Sequence, residues 1–279
     1  MTIAISVKVN DGIILSADSA STMIDVNGDI VNIYNNANKI FNLVKGLPIG
    51  AITWGAGSMG PASISTLAKD LRLRFSGDPK YPSWHIDPDN YKLENVAALF
   101  RSFFYDEIYT PAFASWPQKP SVGFVVAGYS SGEMLAEKYL IVIENGVCPA
   151  PLLLWPQEQT GMNWFGQPEA ISRLVIGYDG RVPNIIKDEL GIDQVTMDSV
   201  VAKMSAELNC GMISPAMPIQ DAIDLAEYLV EVTVKYSRFT PGSPTVGGPI
   251  EIAAISKHEG FKWIERKHYY KEEFNRENP

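Results

Sequence analysis

The sequence predicts a mixed α+β chain, with helices outside two packed antiparallel sheets in a four-layer αββα sandwich. Three observations lead there: an alternating first segment that doubles back at a turn, apolar strand-like runs in the middle and at the end, and amphipathic stretches between them. In the first segment Ile3, Ile5, Val7 and Val9 are apolar, while Thr2, Ala4, Ser6 and Lys8 fall on the other face, the period of a strand with one buried side. Asn10-Asp11-Gly12 supplies residues that tolerate positive φ, and IILSADS follows as the partner strand. With the turn there, Val9 is expected to face Ile13 and Thr2 to lie opposite Ala20, with Asp18 as a diagonal neighbour on the same face.

A second hairpin is expected in KIFNLVKGLPIGAITWGAG, around Lys45-Gly46-Leu47-Pro48. Helical periodicity then runs from Ser58 to about Phe75, carried by Ile64, Leu67, Leu71 and Leu73, and again from Glu94 to about Ala114, carried by Val96, Leu99, Phe103 and Phe104. SVGFVVAGYS, EKYLIVIEN and GMNWFGQ read as strands. Pro168 and Glu169 open a helix through ISRLVIGY, since proline is tolerated in a first turn. DSVVAKMSAEL and IQDAIDLAEYLVEVTVKYSRF add two more helices, and PIEIAAISK with the edge segment FKWIERK closes the ordered part. No repeat or linker divides the chain, so residues 1–279 are expected to form one domain, with a charged tail over 268–279.

The formal net charge of −9 offers no positive field for nucleic acid or an anionic membrane. Two cysteines far apart make no disulfide framework and no metal-ligand spacing, and no apolar run approaches the ~20 residues that span a bilayer. The expectation is a cytoplasmic protein with neither metal nor cofactor.

The chemistry centres on Thr2. Removal of Met1 before so small a residue would leave a threonine whose own α-amine, titrating near pH 8, serves as general base for its hydroxyl. Asp18, at the end of the second strand, can hold a cation. Lys39, at the start of NKIFNL, is a lysine about to enter an apolar strand; held by a carboxylate it would stay charged, lower the pKa of the terminal amine and favour an alkoxide-like oxygen. In Gly55-Ala56-Gly57-Ser58 a glycine N–H can approach a substrate carbonyl and stabilise its developing negative charge.

These pieces resemble the catalytic β-subunits of the proteasome and the peptidase subunit of the bacterial ATP-dependent two-component protease, which are N-terminal-nucleophile hydrolases. Their threonine is followed sixteen residues later by an aspartate in a segment like DGVVLAADT; here DGIILSADS spans Thr2 to Asp18. Their lysine strand is similar to Lys39-Ile40-Phe41-Asn42-Leu43, and their glycine turn to Gly55-Ala56-Gly57. VVAGYS and GGPIEIAAI also look like family strands. The resemblance implies Thr2 as nucleophile, Asp18 and Lys39 as charge-tuning groups and the Gly57 N–H as oxyanion donor. It implies further that Thr22 and Gly57 pair with the substrate backbone, and that Ala37, Gly55 and Met59 line a roomy apolar pocket for the residue before the cleaved bond.

The chain departs from that pattern in three places, one of them the stretch between Gly166 and Gln220, which is longer than in a typical family member and implies a helical insertion around 171–215. Phe165-Gly166-Gln167 lacks the family's serine, and the family's Asp and Ser just before the final Gly-Gly are also missing: no acid lies between Lys235 and Glu251, and Ser243 or Thr245 is the candidate replacement for that serine. The expected function is hydrolysis of peptide or other amide bonds through an acyl-ester by a self-assembled homo-oligomer, a ring or an open helical array; an ATPase partner stays open. The alternatives are a catalytically silent structural subunit and a small-molecule amidohydrolase.

Overall fold

The computed structural model describes residues 2–25 and 27–268; beyond His268 the expected tail lies outside the described residues. Strand β1 (Ile3–Val9) turns at Asn10-Asp11 into β2 (Gly12–Ala17). A short hairpin follows, β3 (Ser21–Ile24) with β4 (Ile30–Tyr34), and then β5 (Ile40–Asn42) pairs with β6 (Ile49–Gly55). Residues 58–63 are not helical. They form a second tight hairpin, β7 (Ser58–Met59) with β8 (Ala62–Ser63), because Gly60-Pro61 supplies a positive φ and a residue without an N–H. Helix α1 (Ile64–Phe75) starts only after it, where the Ser63 hydroxyl accepts from Thr66 N–H at 3.2 Å.

Helix α2 (Leu93–Arg101) runs on through a wide-turned stretch, Ser102–Tyr109, into α3 (Thr110–Ala112). There Thr110 N–H donates to Tyr105 C=O, five residues back, and the Thr110 hydroxyl donates to the same oxygen at 2.9 Å. Strands β9 (Val122–Gly128), β10 (Glu137–Ile143), β11 (Leu152–Leu153) and β12 (Gly161–Gly166) come next. Helices α4 (Glu169–Val175), α5 (Val182–Leu190), α6 (Gln194–Leu208) and α7 (Ile219–Phe239) lead to β13 (Glu251–Ser256) and β14 (Gly260–Glu265). No described helix is long and apolar enough to cross a membrane.

Two five-stranded antiparallel sheets result, in the orders β12-β1-β2-β13-β14 and β11-β10-β9-β6-β5. Three apolar clusters hold the chain together. One packs α1, α2 and the wide-turned stretch on the second sheet, with Phe100, Phe104 and Phe124 in mutual ring contact. One packs α4 and α7 on the first sheet, through Ile3, Ile5, Val7 and Leu229. The third joins residues of both sheets: Ala4, Ile13 and Leu15 of the first with Ile40, Ile52 and Val125 of the second. Trp54 of β6 stacks on Phe165 of β12 with centroids 4.1 Å apart, and Gly123 leaves the room, since a Cβ there would strike the Trp54 ring.

Two expectations about β1 are corrected. Its polar face is buried too, with Ser6 at 0% and Lys8 at 2% exposure, because that face meets further protein rather than water. The polar groups survive there by bonding: Lys8 Nζ donates to Pro156 and Gln157 carbonyls, and Lys138 Nζ to Ser6 Oγ and Asn163 Oδ1. The register also differs by one. Val9 pairs with Gly12 and Ala4 with Ala17, because the turn takes two residues rather than three. Asp18 therefore does not sit diagonally from Thr2 on one face; its backbone N–H reaches Ile3 C=O instead.

Burial, with Lys8 nearby, pulls the Lys138 ammonium down to about 7. Between pH 7 and the unfolded value of 10.5 the native chain then holds one proton fewer at this site than the unfolded chain, so this site makes stability rise with pH across that window, by up to about 1.4 kcal/mol per pH unit. Urea unfolding at pH 7.5 to 9.5 should show that slope in the native sequence and a flatter one in Lys138→Met.

Candidate functional site

Asp18 is the hub of the site. It lies just past the end of β2, fully buried, and both carboxylate oxygens are committed. Oδ1 accepts from Lys39 Nζ at 2.5 Å and from Ile3 N–H at 3.0 Å; Oδ2 accepts from Ala20 N–H at 3.1 Å and Gly247 N–H at 3.0 Å. Three chain segments distant in sequence thus converge on one anion: the residue following Thr2, the start of β5 and the loop before β13. Burial pulls the Lys39 ammonium below the ordinary lysine range, and the Asp18 charge opposes that pull. Lys39 is also fixed by its backbone, its C=O accepting from Thr53 N–H of β6 at 3.0 Å.

Thr2 is buried at the open end of β1. Its C=O accepts from Gln167 N–H at 2.8 Å, and Ile3 pairs with Gly166. Gly166 has φ +99, and a Cβ there would fall 1.9 Å from the Thr2 carbonyl oxygen. The segment Phe165-Gly166-Gln167, which lacks the expected serine, is therefore the backbone clamp on the candidate nucleophile. Gly57 lies against Ser21, where a Cβ would meet Oγ at 3.3 Å, and its C=O anchors Ile64 N–H at the start of α1.

Of the remaining candidates, Thr22 is half-buried on β3, opposite Ile33. Ala37 is tied by its N–H to Ser19 C=O at 2.9 Å. Gly55 closes β6 opposite Val122. Met59 is 1% exposed inside the cluster beneath α1. Ser243 and Thr245 line a cavity of about 330 Å³ with Gln167, Glu169 and Arg181, beside the end of β12. The structure thus bonds Asp18 directly to Lys39 and to Ile3, the residue after Thr2, sets Gly57 beside the Ser21 that follows Ala20, and keeps Met59 among core side chains.

Sequence reasoning missed Lys267 and Glu251. Lys267 Nζ donates to Ser19 Oγ at 2.7 Å and Ala37 C=O at 2.8 Å, and lies 2.9 Å from Glu251 Oε2, an ion pair not aligned for a hydrogen bond. Glu251 is 1% exposed, and its charge acts on Lys39. The signal was legible: an acid inside the apolar run PIEIAAI is buried when the strand is, and a buried carboxylate calls for a cation or hydrogen-bond donors.

No protein-family model and no curated protein matches the chain. Solved structures share its fold, among them two of Anbu proteins. Anbu (ancestral beta-subunit) from Yersinia bercovieri matches at 13% identity and a TM-score of 0.53, over 96% of this chain and 89% of that one. The helical assembly of the Anbu complex from Pseudomonas aeruginosa matches at 12% identity and a TM-score of 0.51, over 96% and 88%. The fold is therefore mixed α+β and proteasome-like. The expected membership in the proteasome β-subunit-like N-terminal-nucleophile hydrolases of the threonine peptidase family is corrected. These neighbours have a proteasome-like fold with a different arrangement, and identity this low carries the fold and nothing finer. The motifs behind that expectation are a few residues each, and what they encode is a hairpin, a buried ion pair and a glycine turn.

Asp18→Asn should destabilise the chain by about 3–5 kcal/mol in urea unfolding, because it leaves the Lys39 charge buried and unpaired. The same change should cost less when Lys39 is already methionine. Gly166→Ala should cost at least about 1–3 kcal/mol from backbone strain alone, read from the same unfolding curves.

Proposed function

We propose that the chain hydrolyses peptide or other amide bonds with Thr2, freed by removal of Met1, as nucleophile. The observation that carries this reading is the buried Asp18 carboxylate, which bonds at once the Lys39 ammonium and the N–H of Ile3, the residue joined to Thr2. A cation beside the chain's beginning lowers the pKa of the terminal amine and supports negative charge on the threonine oxygen. The α-amine takes the hydroxyl proton through a water as Oγ1 attacks the carbonyl carbon, and the Gly57 N–H bonds the resulting oxyanion. On collapse the C–N bond breaks and the amine leaves with the proton; water then cleaves the ester, with the α-amine again as base.

Thr22 and Gly57 hold the substrate backbone as an added strand in this reading, Ala37, Gly55 and Met59 border the pocket before the cleaved bond, and Ser243 and Thr245 support Thr2 from the loop before β13. The chain is one four-layer αββα domain, with 171–215 as an added helical unit; support comes from the three apolar clusters, two under helices and one shared by the sheets. Self-association into an open array is supported by the helical assembly of the Pseudomonas aeruginosa neighbour. The second reading, a silent structural subunit, draws on the stretch from 236 to 250, which contains no acid.

Intact mass should show loss of Met1. An electrophile selective for terminal threonine should label the native chain and leave Thr2→Ala unmodified, with both chains unfolding at the same urea concentration. Equal labelling of the two, or a retained Met1, would remove Thr2 from the mechanism.

A further inference from the structure

The chain carries 32 acidic and 23 basic residues, yet one cleft collects cations from three separate elements. Lys45 comes from the turn between β5 and β6, Lys69 and Arg72 from α1, and Arg266 from just past β14. None of the four is in an ion pair among the described residues. Elsewhere the chain's cations are commonly matched, as Lys92 is with Glu133, Arg101 with Asp106, Arg173 and Arg181 with Asp179, and Lys235 with Glu231. The acid in the cleft lining, Glu251, is already taken by Lys267. Four like charges held together without counter-charge repel one another, and a walled cleft focuses their field.

We propose that this cleft binds a small, multiply charged oxyanion of the phosphoryl type. The inference does not depend on the hydrolase reading. A volume of about 310 Å³ suits a small ligand rather than an enclosed macromolecular partner. The two arginines offer planar donor forks that match phosphate oxygens, and the lysines offer point charges. Neutral groups in the wall fit as well. Ser65 Oγ accepts from Asn38 Nδ2 at 3.3 Å, which leaves its own proton to donate, and Asn42 Oδ1 is buried with no partner among the described residues. A partly protonated phosphate oxygen supplies a donor of the kind that atom lacks.

The test is calorimetric titration of the full chain with sodium tripolyphosphate, in metal-free buffer of low ionic strength. Saturable one-to-one binding is expected. It should weaken about tenfold or more in K69Q/R72Q and, independently, in K45Q/R266Q. It should be unchanged in K203Q/K235Q, which removes the same charge from α6 and α7. A parallel titration with ATP separates sources: equal affinity means the phosphoryl chain alone is read, and tighter binding means a nucleoside adds contacts. No saturable binding to the native chain, or equal weakening in K203Q/K235Q, would overturn the proposal. Circular dichroism of each variant excludes unfolding as the cause, and the two cleft variants lie on different elements, so one remains informative if the other fails to fold.

Discussion

A single buried carboxylate organises the beginning of this chain. Asp18 is fully buried, and four donors face its two carboxylate oxygens. The dependence runs both ways. The Asp18 charge opposes the pull of burial on the Lys39 ammonium, and the loop at Gly247 is anchored to the first sheet by the same oxygen that holds Ala20. The position of Thr2 follows, since Ile3 is fixed by Asp18 on one side and Gly166-Gln167 hold the strand on the other.

A second charged pair extends the arrangement outward. Lys267 touches Ser19 and Ala37, the neighbours in sequence of Asp18 and of the residues before Lys39, and Glu251 completes it. Two acid–lysine pairs thus lie side by side, Asp18 with Lys39 and Glu251 with Lys267. The two acids oppose the pull of burial on both ammonium groups.

Much of this was readable from the residues. The hairpin at Asn10-Asp11, the strand pair around Lys45-Gly46, the helix over Ile219–Phe239 and the closeness of Asp18 to Lys39 follow from turn chemistry, periodicity and the oddity of a lysine entering an apolar strand. The rest was hidden for identifiable reasons. The β1–β2 register turns on whether a loop takes two residues or three, and Asn-Asp-Gly permits both. Ser58–Ser63 carries a helix-like apolar spacing, which the Gly60-Pro61 corner overrides. Burial of Lys8 and Ser6 could not be seen from β1 alone, because their partners Pro156, Gln157 and Lys138 lie more than a hundred residues away.

The stacked rings of Trp54 and Phe165 bear on how the two sheets can move. With interplanar tilt of only 6° and centroids 4.1 Å apart, sliding one sheet past the other by a single residue step of about 3.4 Å would destroy the overlap. Gly123 seats one edge of the indole, so the ring has nowhere to follow. Shear between the sheets would therefore forfeit this stacked contact, which is worth about 0.5–1.5 kcal/mol beyond the area it buries.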